Sequence, residues 1–95
     1  MNTVTNDKIS ARMIETENAY DRLCKTGEYY DVFMTSSELG RYLATINSFL
    51  MTDKIELDEY TELYNYYSKM SSKILARAME LDNKLYEERR NNETE

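Results

Sequence analysis

The chain has 95 residues, 18 of them acidic and 12 basic, for a net charge of −6. One domain of this length can build a single core with a thin stability margin. The charge argues against nonspecific DNA binding and against an anionic membrane surface, because both need Lys and Arg opposite phosphates. There is no proline and there are two glycines, Gly27 and Gly40. A β-rich fold draws on both residue types for its turns, so the composition predicts an all-α fold. Cys24 is the single cysteine. It excludes an intramolecular disulfide and fits a reducing compartment. Its place at the end of an amphipathic stretch predicts an inert, buried or half-buried thiol. Met1 to Lys8 shows no apolar leader region, and the longest uncharged run, Tyr42 to Thr52, is too short to span a membrane. These features predict a cytoplasmic chain with no membrane contact.

The chain reads as a single helical domain over residues 1–95, with helices at about 7–25, 36–51 and 58–90 and a frayed tail at 91–95. In the first helix, Thr5 or Asn6 stands where a cap accepts from free N–H groups. Ile9, Met13, Thr16, Tyr20 and Leu23 then follow helical spacing and predict one buried stripe. Gly27 occupies the position where a helix end needs a left-handed residue. Within residues 28–34, Tyr29, Tyr30, Val32, Phe33 and Met34 are apolar without clear periodicity. They read either as an extended connector or as an early turn of the second helix. Thr35 and Glu38 have the spacing of a capping box. Leu39, Tyr42, Leu43, Ile46, Phe49 and Leu50 then form a broad core-facing stripe. Gly40 inside this helix costs roughly 1 kcal/mol relative to alanine, which close helix packing would offset.

Thr52 to Leu57 reads as a turn in which Ile55 and Leu57 plug the core, and Asp58 as the cap of the third helix. That helix should be roughly 48 Å long, against about 25–30 Å for the other two. It carries coiled-coil spacing from Tyr60 through Tyr64, Tyr67, Ser71 and Ile74 to Ala78, Leu81 and Leu85. Its far half is expected to overhang its neighbours, so Ala78, Leu81 and Leu85 are the candidate self-association residues of a homodimer.

Catalysis is poorly supplied. There is no histidine, so the usual general base is missing. No Ser–His or Cys–His arrangement and no glycine-rich phosphate loop is present. No cofactor is implied. Asp53 to Tyr60 is similar to the second half of an EF-hand loop, with Glu59 as terminal ligand. The likeness fails where Ser48, Leu50 and Thr52 should supply early oxygens and Asp53 replaces the glycine, so no metal site is expected. Thr35 to Leu43 is similar to the opening of a helix-turn-helix. Asp53, Glu56, Asp58, Glu59 and Glu62 fall where the recognition helix should lie, which makes direct nucleic-acid binding the weakest of three readings.

Charge distribution is more informative than its total. Residues 28–62 hold eight acids and two bases, while residues 63–90 hold four acids and six bases. Lys69, Lys73 and Arg77 form a basic stripe on the third helix. Nine tyrosines, four of them between Tyr60 and Tyr67, are the other excess. Tyr66 lies off the heptad seam and is expected to be exposed beside the carboxylates. Tyrosine offers contact area at low entropic cost. Asp53, Glu56, Asp58, Glu59, Glu62 and Tyr66 are therefore the candidate contact set for a protein partner with a basic surface. In size, charge and composition the chain resembles small acidic proteins of phages and mobile elements, among them inhibitors of CRISPR effectors. That resemblance implies an inhibitor or adaptor of a nucleic-acid-handling partner, and it assigns no residue a role. A helical homo-oligomer is the alternative.

Overall fold

A computed structural model describes residues 2–93 and shows three helices and no strand among them: α1 (Thr3–Thr26), α2 (Tyr29–Met51) and α3 (Leu57–Glu93). The first helix begins a turn earlier than its sequence suggests. Asn2 takes the cap, its Oδ1 accepting from the Thr5 N–H at 2.8 Å. Thr5 is thereby released from capping and is buried. The stripe of Ile9, Met13, Thr16, Tyr20 and Leu23 faces inward as its spacing predicts, joined by Ala19. The buried Thr16 hydroxyl donates to the Arg12 carbonyl one turn back, at 2.8 Å, so its burial leaves no orphaned group. Gly27 closes the helix in the left-handed region, at φ 68°.

Residues 28–34 belong to α2, and the Thr35–Glu38 capping box does not exist. Glu28 is extended and the helix restarts at once behind it. Thr35 is instead an interior residue, fully buried, its hydroxyl donating to the Asp31 carbonyl at 2.6 Å. Asp31 lies in the first turn of α2, where a carboxylate meets the positive end of the helix dipole. It accepts a hydrogen bond from the Thr26 hydroxyl and so ties the end of α1 to the start of α2. Leu39, Tyr42, Ile46 and Phe49 carry the core stripe onward, with Leu43 and Leu50 half-buried at its margin. Gly40 does not serve close packing, since an added Cβ would meet nothing within 4 Å.

The end of α2 is a Schellman motif. The Lys54 N–H donates to the Phe49 carbonyl at 2.8 Å and the Asp53 N–H to the Leu50 carbonyl at 3.2 Å. Asp53 holds the left-handed position that glycine usually fills, at φ 59°. Ile55 then enters the core, as expected of the turn. Leu57 does not: it is 69% exposed. The cap of α3 also differs from expectation. Glu59, rather than Asp58, closes the first turn, its Oε1 accepting from the Glu56 N–H at 3.1 Å.

Helix α3 has 37 residues, about 55 Å at the α-helical rise. Its buried face keeps Tyr60, Tyr67, Ile74, Ala78 and Leu81 of the heptad seam and is turned partly away from the rest of it. Met70, Ile74 and Leu81 are buried and Leu63, Tyr66 and Tyr67 half-buried, whereas Tyr64 and Ser71 of the seam face out. The four-three spacing is shared by two adjacent faces of one helix, and only packing chooses between them. The overhang is also shorter than expected. With 24 and 23 residues, α1 and α2 are long enough for their junction to reach Leu81. A carbon added at Gly27 would lie 3.4 Å from Leu81 Cδ2, and Tyr29 Oη donates to Asp82 Oδ1 at 3.0 Å. Leu81 is therefore buried within one chain, Ala78 half-buried, and only Leu85 remains exposed. Asn91 and Asn92, expected in a frayed tail, are helical; residues 94 and 95 lie outside the described residues.

Helix α2 lies between the other two. The radius of gyration is 17.0 Å and the principal extents are 61 × 19 × 14 Å, against about 12 Å for a compact chain of this length. The molecule is an elongated slab with its core strung along α2. Among the described residues, no helix is long and apolar enough to cross a membrane.

Candidate functional site

The acidic residues singled out by charge do converge. The Schellman turn and the first turns of α3 place Asp53, Glu56, Asp58 and Glu62 at one end of the slab, all exposed, with Glu59 half-buried among them. Two of the group have local work. Glu59 caps α3, and Asp58 Oδ1 accepts from the Glu59 N–H at 2.9 Å. Carboxylate oxygens of Glu56, Asp58 and Glu59 come within 4.8 Å of one another. Ser48 and Leu50 are inside α2, so the surrounding backbone is a helix–helix turn and not an EF-hand loop. Lys54 is the one cation in the turn itself, and its ammonium lies 5.8 Å from the centre of the Phe49 ring. Met51 and Leu57, 83% and 69% exposed, stand beside the carboxylates.

Tyr66 is not part of that surface. Its ring is half-buried and meets the fully buried Tyr42 edge-on, centroids 5.1 Å apart. Its hydroxyl donates to Glu17 Oε1 on α1 at 3.2 Å. Burial and the Glu17 carboxylate both hold the phenol above its ordinary pKa, because each disfavours phenolate. Tyr42 Oη donates to the Leu63 carbonyl at 2.6 Å, and burial pushes its pKa up to about 12. The pair bolts α1, α2 and α3 together at mid-length. Tyr66 was misassigned because α1 covers the side of α3 next to the expected seam.

The basic stripe is likewise committed to α1. The Lys73 ammonium sits 5.9 Å from the Tyr20 ring centre, which is cation–π range. Arg77 is half-buried; its Nη1 meets Glu80 at 3.0 Å and its Nη2 donates to the Cys24 carbonyl at 3.5 Å. A cation at the carbonyl end of α1 opposes the helix dipole. Lys69 alone projects into solvent without such an arrangement on α1. Cys24, expected to be buried or half-buried, is exposed.

A second surface escaped the reading of motifs. Between α2 and α3, on the side away from α1, runs a groove of about 340 Å³ lined by Val32, Ser36, Gly40, Ser71, Leu75 and Ala78 among others. Its floor is made of small residues and Leu39, Tyr67 and Ile74 close it below. The signal was present in α2, which has only three charged residues, Asp31, Glu38 and Arg41. All three lie toward α1: Asp31 and Glu38 share a hollow with Glu15 and Arg22, and Arg41 shares one with Lys8 and Arg12. No protein family matches the chain, and no curated protein or solved structure is significantly similar to it.

Proposed function

We propose that this chain is a non-enzymatic binding protein that engages the basic surface of a protein partner through the acidic end formed by the α2–α3 turn. One observation carries the reading. Asp53, Glu56, Asp58 and Glu62 project together from a rigid, capped turn where Lys54 is the only cation and exposed Met51 and Leu57 supply apolar contact. Charge of one sign around an apolar centre steers association and fixes register, and an uncovered Met–Leu pair adds burial once the partner is seated. A surface that ordinarily receives nucleic acid is the class of partner whose charge fits, which makes the chain a blocker or adaptor of such a protein. Direct DNA reading is disfavoured by the same carboxylates. The function rests on those four acids, without Tyr66 and with Glu59 kept for the cap of α3.

The test replaces Asp53 and Asp58 with Asn and Glu56 and Glu62 with Lys, leaving Glu59 to cap α3. Basic proteins retained from a bacterial extract by the immobilised wild-type chain are expected to be lost with this variant, and to elute from the wild type as salt rises past the range where screening is strong. Far-UV circular dichroism should be unchanged. Retention of the same proteins by both chains overturns the reading.

A further inference from the structure

The exposed large apolar residues of α3 fall on one stripe. Leu57, Tyr64, Leu75, Met79 and Tyr86 are 69%, 41%, 61%, 58% and 66% exposed. At 100° per residue they occupy an arc about 60° wide, next to the buried face and bordering the α2–α3 groove. From Leu57 to Met79 the positions between them on this arc are Thr61 and Ser68, with Ser71 and Ser72 just outside its two edges, all uncharged; beyond Met79 the arc carries Asp82, whose Oδ1 accepts from Tyr29 Oη. Every charged residue from Leu57 to Met79 lies on the other sides of α3. In a chain that is 32% charged, an α3 stripe without a charge from Leu57 to Met79, beside an α2 face without one, needs a physical reason. Solubility would be served better by lysine or glutamate there.

The order of residues along the stripe is symmetric. Counting outward from the Ser71–Ser72 bond, Leu75 and Ser68 stand equally far on either side. So do Met79 and Tyr64, and then Tyr86 and Leu57. A twofold axis at that bond would lay a second α3 antiparallel on the first. Leu75 would meet the small Ser68, Met79 would meet Tyr64 and Tyr86 would meet Leu57. A self-complementary patch of this kind is what an isologous interface requires. Serines at the crossing point let the two backbones approach.

We propose that the face of α2 and α3 that carries this stripe is the interface of an antiparallel homodimer with its axis at Ser71–Ser72. Charge favours that direction over the other. A parallel pair would set the two acidic turns side by side, whereas the antiparallel pair separates them and sets each against the far end of the second α3, where Lys84, Arg89 and Arg90 offset Glu87 and Glu88. The area is sufficient. A helix pair about 20 Å wide over the roughly 35 Å length of α2 presents about 700 Å² per copy, and about 1,400 Å² for two copies falls among specific interfaces. This differs from a seam through Ala78, Leu81 and Leu85, because the chain's own α1–α2 junction covers Leu81. The proposal shares Leu57 and the edge of the acidic turn with the acidic-end reading, but its variants leave Asp53 to Glu62 intact, so the two can fail separately.

Light scattering on a size-exclusion column is expected to give twice the 11.3 kDa chain mass for the wild type at roughly 100 µM, a concentration that populates even a micromolar dimer. The variant with Leu75→Glu and Met79→Glu is expected to give one chain mass with unchanged helicity, since both side chains face solvent in the single chain. A monomeric wild type, or a dimer that survives both substitutions, overturns the proposal. Cysteine placement fixes direction, in a Cys24→Ser background. Ser72→Cys should cross-link to itself. Met79→Cys should cross-link to Tyr64→Cys in a mixture and not to itself. Self-linking of Met79→Cys would show a parallel pair and overturn the axis.

Discussion

Among the described residues, two hold the backbone in the left-handed region, and only one of them is glycine. Gly27 has φ 68° and Asp53 has φ 59°. At Gly27 conformation disfavours a side chain and space is tight: an added carbon would lie 3.1 Å from Arg77 Nη2 and 3.4 Å from Leu81 Cδ2. Gly27→Ala is expected to cost about 1–2 kcal/mol, mostly from the left-handed penalty of a Cβ, with Arg77 pushed off the end of α1. At Asp53 the same penalty is already present in the native chain. Asp53→Gly relieves it and is expected to raise stability by up to about 1 kcal/mol, reduced by the greater freedom of glycine in the unfolded state. Urea titration of the two variants checks both signs together. Equal shifts in one direction would mean that backbone conformation is not what distinguishes the sites. Asp53 thus has two opposed uses, a strained cap and a contributor to the acidic end, which is a reason for a carboxylate to persist where glycine folds better.

At the scale of the helices, periodicity was legible and boundaries were not. The stripes of α1 and α2 run through Ile9, Leu23, Leu39, Tyr42, Ile46 and Phe49 as their spacing requires, because 3.6-residue periodicity is imposed by burial on one side. The starts of α1 and α2 were misplaced because several polar residues can cap a helix and sequence does not rank them. Asn2 competes with Thr5 and Asn6, and Thr35 turns its hydroxyl back onto its own helix instead of capping it. The face of α3 was legible in part: Tyr67, Ile74 and Leu81 of the seam turn inward, while Tyr64 and Ser71 face out, because apolar residues there cover two sides, one buried in the chain and one exposed. The convergence of the acids was legible because five of them lie within ten residues of one turn; the role of Tyr66 was not, since it depends on how α1 lies across α3. Gly40 illustrates the difference between propensity and packing. It sits inside α2 with nothing near its missing Cβ. Gly40→Ala should therefore stabilise the isolated chain by up to about 1 kcal/mol, read from urea titration at low micromolar concentration. A loss of stability there would reveal a close neighbour on the α2–α3 face.

For the whole molecule, the slab is held at its waist by two phenols whose neutral forms are the ones that fit. Tyr42 is fully buried with its hydroxyl on the Leu63 carbonyl, and Tyr66 lies between Tyr42 and Glu17. Both pKa values are raised above the ordinary 10.0, that of Tyr42 to about 12. A raised pKa means the folded chain binds these protons more tightly than the unfolded one. The stability they contribute is fully present below pH 10 and is lost as pH rises through 10 to 12 and beyond. Growing negative charge adds repulsion in the same window. The chain is therefore expected to unfold cooperatively in alkali, with phenolate absorbance and helical dichroism changing together. Tyr42→Phe separates the two roles of that hydroxyl. Loss of the bond to Leu63 should cost about 0.5–1.5 kcal/mol at neutral pH, while removal of the titrating group should move the alkaline midpoint upward relative to that reduced stability. Ionisation of all the tyrosines before any helix is lost would show that the waist does not depend on neutral phenols.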